Sequence, residues 1–242
     1  MTRGLPAGYV RVTAGRCSAI TQEAHEADAR ALLADGTLYE AAARDLGARP
    51  LTGRGIAYAI ALPASGVHAV VRHNRHGGLL APVTRDLFFP PTRAPLELEI
   101  SLRLAAAGVR TPPVLMYGVD RALLLLRRSD VVTRAIEPSR DLATYMQPDE
   151  PAAARADAWR AARDLVAALD ACGARHHDLN VKNILIAPDG NAWVLDVDRV
   201  VFGDANATSI REGNVARLRR SARKWRDERG AVFDESELGA FD

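Results

Sequence analysis

The stretch His176-His177-Asp178-Leu179-Asn180-Val181-Lys182-Asn183-Ile184-Leu185-Ile186 decides how this chain reads. It follows a long Ala-rich segment, Pro151 to Ala171, with Pro at its first turn and Gly173 after its end, the punctuation of a helix. It then enters the apolar run Asn183 to Ala187. After the turn Pro188-Asp189-Gly190-Asn191 a second run, Ala192 to Val197, delivers Asp196. The predicted order is helix, loop, strand, turn, strand, carboxylate. Phosphoryl transfer from ATP needs a carboxylate to orient the acceptor hydroxyl, and oxygen ligands to hold Mg2+ against the phosphates. Asp178 and Asn183, five residues apart, supply both kinds of group on one loop, and Asp196 adds a second metal ligand from the neighbouring strand.

The spacing is that of the protein-kinase pattern H-x-D-x-x-x-x-N. A plainer reading makes Asp178 and Asn183 turn or capping residues, as Asp and Asn often are. His176 is expected to pack and hydrogen-bond within the loop, and His177 to be exposed. Lys182 either touches phosphate or is solvated. Asp198 stands where protein kinases carry the Gly of D-F-G, so Asp196, which ends the apolar strand, is the preferred ligand and Asp198 the runner-up.

In the first half, Thr21 to Ala34 and Leu38 to Leu46 read as two short helices closed by Gly36 and Gly47. Ile56 to Leu62 and Val67 to His73 form a predicted hairpin around Pro63-Ala64-Ser65-Gly66. Gly77-Gly78 and Pro90-Pro91 mark loops before a helix over Pro95 to Ala107, followed by strands over Val114 to Gly118, Ala122 to Arg127 and Asp130 to Ile136. Beyond Glu137-Pro138 the character turns helical, with Arg140 to Met146, the long helix, and a last basic helix over Arg211 to Glu228. The expected domains are an N-terminal helical extension (1–48), a β-rich nucleotide-binding N-lobe (49–136) and a helical catalytic C-lobe (137–242). The fold class is α+β, bilobal and protein-kinase-like, with one main helix in the N-lobe.

The nucleotide half lacks a lysine, because Lys182 and Lys224 are the only two in the chain. Arg72 in Val70-Val71-Arg72-His73 occupies the strand position that protein kinases give to Lys, and its fork suits phosphate oxygens. Glu97 is its expected helix partner, with Glu99 next. Gly53-Arg54-Gly55 precedes the hairpin, where Gly53 and Gly55 can bring backbone amides close to phosphates or simply make a turn. Arg72 and Glu97 can equally be surface charges.

Over 242 residues, 32 basic and 30 acidic side chains leave a net charge of +2, too balanced to argue for nucleic acid. Two cysteines, Cys17 and Cys172, fit a reducing cytoplasm better than secretion. No apolar run approaches the ~20 residues of a membrane span, and Met1 to Val12 lacks the pattern of a signal peptide.

With these motifs in view, the chain resembles the bacterial lipopolysaccharide kinases, and among them most the 3-deoxy-D-manno-octulosonic acid (Kdo) kinases. The resemblance rests on Gly53-Arg54-Gly55, on Arg72-His73-Asn74-Arg75-His76-Gly77-Gly78, on Asp178 through Asn183 with Asn180 in place of the protein-kinase Lys, on Asp196-Val197-Asp198-Arg199, and on Asn214 through Lys224. It departs at Asn74 and His76, where the family usually has an aromatic residue and Arg. It implies a protein-kinase-like fold that uses ATP and Mg2+ to phosphorylate a sugar hydroxyl of lipid A-linked Kdo or heptose. It further implies a cytoplasmic protein in peripheral contact with the anionic inner face of the inner membrane. The span 211–229, with eight basic residues against three acidic, suits such a surface or is a solvated helix face. A protein Ser/Thr kinase, another small-molecule kinase and, given Arg72 for Lys, a nucleotide-binding pseudokinase are the alternative readings.

Overall fold

Runs rich in apolar residues on either side of a Pro-Ala-Ser-Gly turn form a hairpin of the first sheet: β4 (Ile56–Ala61) pairs antiparallel with β5 (His68–His73). Gly66 closes the turn at φ +68°, a left-handed value that glycine adopts without a Cβ penalty. The computed structural model describes residues 4–34, 36–52, 55–74, 92–121 and 126–233. These fall into two units, Met1–Glu99 with Pro113–Ala135, and Ile100–Pro112 with Ile136–Asp242.

In the first unit the hairpin lies within a seven-stranded antiparallel sheet of order β1-β2-β6-β7-β5-β4-β3. The other strands are β1 (Tyr9–Ala14), β2 (Cys17–Gln22), β3 (Arg49–Thr52), β6 (Val114–Arg121) and β7 (Arg127–Arg134). Helices α1 (Glu26–Leu32) and α2 (Leu38–Arg44) share a core with Val12, Ala19, Ile60, Val71 and Met116. A second cluster joins Tyr9, Ile20, Val114 and Val131 to Leu98 of α3 (Ala94–Ala106). Fully buried Leu38 sits over Gly118, where a Cβ would come within 3.0 Å of its Cδ1.

The structure departs here from the expected helical extension. Residues 9–22 supply two strands of the same sheet, and the helix expected from Thr21 begins only at Glu26, after a 3-10 turn over Glu23–His25. Ala19 and Ile20 alternate across a pleat that continues into β6, and this long-range pairing overrides the helical leaning of an Ala-rich stretch. The strand expected over Ala122 to Arg127 lies outside the described residues at 122–125, and Arg127 opens β7. The Gly77-Gly78 and Pro90-Pro91 loops also lie outside them.

The second unit is built on α5 (Ala152–Ala171) and α6 (Thr208–Arg229). Short strands complete it: β8 (Arg140–Asp141), β10 (Ile184–Ile186) and β11 (Ala192–Val194) form one sheet, and β9 (Ala174–His176) pairs with β12 (Val200–Phe202). The helix expected over Arg140 to Met146 is shorter, α4 (Leu142–Tyr145), because Asp141 caps it by accepting from Thr144 N at 2.9 Å. The core gathers Leu104, Leu142, Trp159, Leu169, Leu179, Ile184 and Leu218, with Phe233 set edge-on to Trp159 at 5.4 Å. No helix among the described residues is long and apolar enough to cross a membrane.

A buried carboxylate ties α1 to the hairpin turn. Asp28 Oδ1 accepts from the amides of Ala64 at 2.7 Å and Ser65 at 2.9 Å, while Oδ2 meets His25 Nδ1 at 2.9 Å. Burial pushes its pKa up, but the hydrogen bonds from His25, Ser65 and Ala64 outweigh this and hold it below the usual value. Asp28→Ala leaves two turn amides unmet and is expected to cost about 3 kcal/mol of unfolding free energy in urea at neutral pH. Because the folded pKa is lowered, this contribution is full above the unfolded value of about 3.8 and fades as pH falls through the folded one. Wild type and variant should therefore converge in acid; an equal gap at all pH would refute the assignment.

Candidate active site

The loop between β9 and β10 is organised by one imidazole. His176 is fully buried; its Nδ1 accepts from Asp178 N at 3.1 Å and its Nε2 donates to Leu195 O at 2.9 Å. An amide can only donate and a carbonyl only accept, so the ring carries its proton on Nε2 and is neutral. Burial pushes its pKa below the ordinary value, against the pull of the Leu195 carbonyl and the nearby Asp196, Asp178 and Asp198 charges. One ring thereby joins the Asp178 segment to the segment that carries Asp196.

A second tie runs through Asn183. Its Nδ2 donates to Asp178 O at 3.0 Å, and its own carbonyl accepts from Leu195 N at 2.8 Å. The amide oxygen is then the acceptor end of the side chain. Asn180 donates from Nδ2 to the same Asp178 carbonyl at 2.9 Å and accepts Lys182 N on Oδ1 at 3.0 Å, so its role is to shape the turn. Asp196 is exposed and left-handed, at φ 53° and ψ 48°, a conformation that Asp tolerates better than most residues but that still costs energy. Asp198 lies two residues on, in the 3-10 turn Val197–Arg199.

Helix α6 grips this loop along one face. Asn214 Oδ1 accepts from His176 N at 2.9 Å, Arg217 Nη2 donates to Asp178 Oδ1 at 2.7 Å, and Ser221 Oγ accepts from Val181 N at 3.2 Å. One turn further, the Trp225 ring lies 5.7 Å from Lys182 Nζ. Spacings of three and four residues put these four side chains on one stripe of the helix. Asn214 is anchored in turn, donating to Asp170 Oδ1 at 2.7 Å and Ala174 O at 2.9 Å. Burial pushes the Asp170 carboxyl above its usual range, opposed by the Asn214 bond and the Arg211 charge. Sequence reasoning placed Arg217 and Ser221 in the block Asn214 to Lys224 and counted Arg217 among eight basic residues, but gave neither of them, nor Asp170, a role in the site.

Lys182, one of the expected nucleotide contacts, pairs with Asp141 Oδ2 at 2.6 Å, the same carboxylate that caps α4. In the first unit, Arg72 on β5 ion-pairs through Nη2 with Oε1 of Glu97, which is buried in the first turn of α3. Glu97, the first of the two expected partners, is thus paired with Arg72, while Glu99 is exposed. Beside this pair, His73 Nδ1 meets Asp130 Oδ1 at 2.5 Å, and Asp130 Oδ2 accepts from Tyr39 N at 3.0 Å, which fastens the start of α2 to β5 and β7. Gly55 stands in a bend before β4, and Gly53 lies outside the described residues.

Among the described residues no three His, Cys, Asp or Glu side chains gather as a ready-made metal cage. The donors present, one amide oxygen and one carboxylate, fit a small hard cation that takes the rest of its ligands from water and phosphate, the habit of Mg2+.

Residues 48–235 match the model of the lipopolysaccharide kinase (Kdo/WaaP) family. The 3-deoxy-D-manno-octulosonic acid kinase of Actinobacillus succinogenes is 31% identical over 193 residues, covering 76% of this chain and 78% of its own. Its counterpart in Xanthomonas campestris pv. campestris is 35% identical over 188 residues, covering 75% and 72%, and that of Xylella fastidiosa 34% over 197 residues, covering 76% and 74%. The solved structure of WaaP in complex with acyl carrier protein aligns with a TM-score of 0.55 over 88% of this chain and 83% of that one. At 20% identity this is a likeness of fold, the kinase-like α+β arrangement in two lobes. On sequence and fold together, this chain belongs to the lipopolysaccharide kinase (Kdo/WaaP) family.

Proposed function

We propose that the chain transfers the γ-phosphoryl group of ATP to a hydroxyl of Kdo, or of heptose, in the lipopolysaccharide inner core, with Asp178 as the residue that handles the acceptor. Membership of the family makes it an ATP-using phosphotransferase acting on a sugar hydroxyl. The observation that carries the assignment to Asp178 is its setting: a carboxylate on a loop whose backbone is held by His176, Asn183 and α6. Such rigidity suits a reaction whose catalysis is chiefly positioning and charge neutralisation.

In this reading Asp178 accepts a hydrogen bond from the acceptor hydroxyl and takes its proton late in the transfer. Bound ATP with Mg2+ supplies the electrophilic phosphorus and disperses the charge that grows on its oxygens. Asn183 Oδ1 and the Asp196 carboxylate are the oxygen donors suited to the cation. Arg72, steadied by Glu97, and the glycines Gly53 and Gly55 are suited to the phosphates. Lys182, engaged by Asp141, bears on the nucleotide only if that pair opens. The acceptor is taken to be a glycolipid, lipid A-linked Kdo, and exposed Arg220, Arg223 and Lys224 on α6 support peripheral contact with an anionic membrane surface.

Asp178→Asn is expected to lower turnover by ~10²–10⁴-fold while ATP still binds. A radiolabelled ATP assay offering Kdo-lipid A, free sugars and a generic protein substrate side by side checks this. Near-normal transfer by the variant would remove Asp178 from the role, and labelling of the protein substrate alone would move the acceptor class.

A pH effect follows from the His176 bridge. Its folded pKa is lowered, so its contribution to stability is full above the unfolded value of about 6.5 and is lost as pH falls toward the folded value. His176→Gln keeps a donor and an acceptor but cannot titrate. Its unfolding free energy should show a shallower decline below about pH 6.5 than wild type; identical slopes would contradict the neutral bridge.

A further inference from the structure

Arg217 and Asp178 form an ion pair in which each side chain is about a third exposed, at 32% and 31%. Pairs so open to water contribute ~0–1 kcal/mol, too little to explain the arrangement as a stabilising device. The guanidinium is also set at some cost: its Nε is buried with no hydrogen-bond partner among the described residues, while Nη2 is turned onto the carboxylate. A buried donor left unmet calls for an explanation. The contacts on either side supply one. Asn214 and Ser221 flank Arg217 on the helix and hold the amides of His176 and Val181, which flank Asp178 on the loop. Arg217 is therefore delivered to Asp178 in fixed register, pinned before and after on both elements.

We infer that Arg217 is the positioning residue for Asp178, confining its carboxylate to one rotamer through Oδ1. The inference rests on the proposed role of Asp178. An Asp side chain has few torsions but a broad final one, and a charge-assisted bond of 2.7 Å narrows it. Neither Asn180, uncharged and occupied with the backbone, nor Lys182, drawn away to Asp141, does this from within the loop. The cation comes instead from a helix more than thirty residues downstream.

The test compares Arg217→Gln, Arg217→Lys, Asp178→Asn and the double variant Asp178→Asn with Arg217→Gln, using ATP and Kdo-lipid A. Arg217→Gln should lower kcat by ~10–100-fold, leave KM for both substrates within about twofold and leave the unfolding midpoint within about 2 °C. Arg217→Lys, which keeps the charge but not the fork, should recover much of the lost kcat. The double variant should be no slower than Asp178→Asn alone, since a positioning residue has nothing left to position. If Asp178→Asn is inactive while Arg217→Gln turns over normally, the role of Arg217 is refuted and that of Asp178 stands. A midpoint that falls together with kcat would assign Arg217 to the fold and overturn the inference. So would a rise in KM alone, or additive losses in the double variant. Near-normal turnover by Asp178→Asn would sink both readings at once.

Discussion

The imidazole of His176 must stay uncharged, because its two nitrogens face groups of opposite hydrogen-bonding sense, the amide of Asp178 and the carbonyl of Leu195, next to Asp196. A second proton would set donor against donor in a place without solvent. Two carboxylate-bearing segments, 17 residues apart along the chain at Asp178 and Leu195, are thereby held by one ring. The cost is a titratable group fully buried in its neutral form. Leu179, Val181 and Ile184, which follow it along the chain, are buried in the core of the second unit, and Asn214 takes the backbone amide of His176 itself.

Within each unit the polar groups come in connected sets. Asp170, Asn214 and the His176 amide form one chain of hydrogen bonds linking α5, α6 and the loop, and Asp130, His73 and Tyr39 form another linking β7, β5 and α2. Buried polar networks of this kind specify one arrangement when every member is met and are costly when one is not. In the second unit, the first of these explains how strands of two or three residues, too brief to be stable by pairing alone, are held in place.

Much of the fold was legible from local pattern. The hairpin carried two β-rich runs and a Pro-Ala-Ser-Gly turn, and the long helix carried its Pro and Gly at the right ends, so each was placed within a residue or two. The first two strands were not, because Cys17–Gln22 is rich in small residues and becomes a strand only by pairing with β6, almost a hundred residues later. The site divides in the same way. Asp178 and Asn183 stand out by spacing on one loop, and Arg72 by the absence of lysine. The α6 stripe does not stand out, since eight basic residues look alike in a sequence and only the folded helix distinguishes Arg217 from Arg219 or Arg220. Contacts between residues about forty apart leave no local signature.

Asp196 sets backbone comfort against side-chain chemistry. Its left-handed conformation costs on the order of 1 kcal/mol, which glycine would relieve, and most proteins place glycine in such a position. Glycine here would relax the backbone but remove the carboxylate, so under the proposed role of Asp196 this position sets foldability against activity.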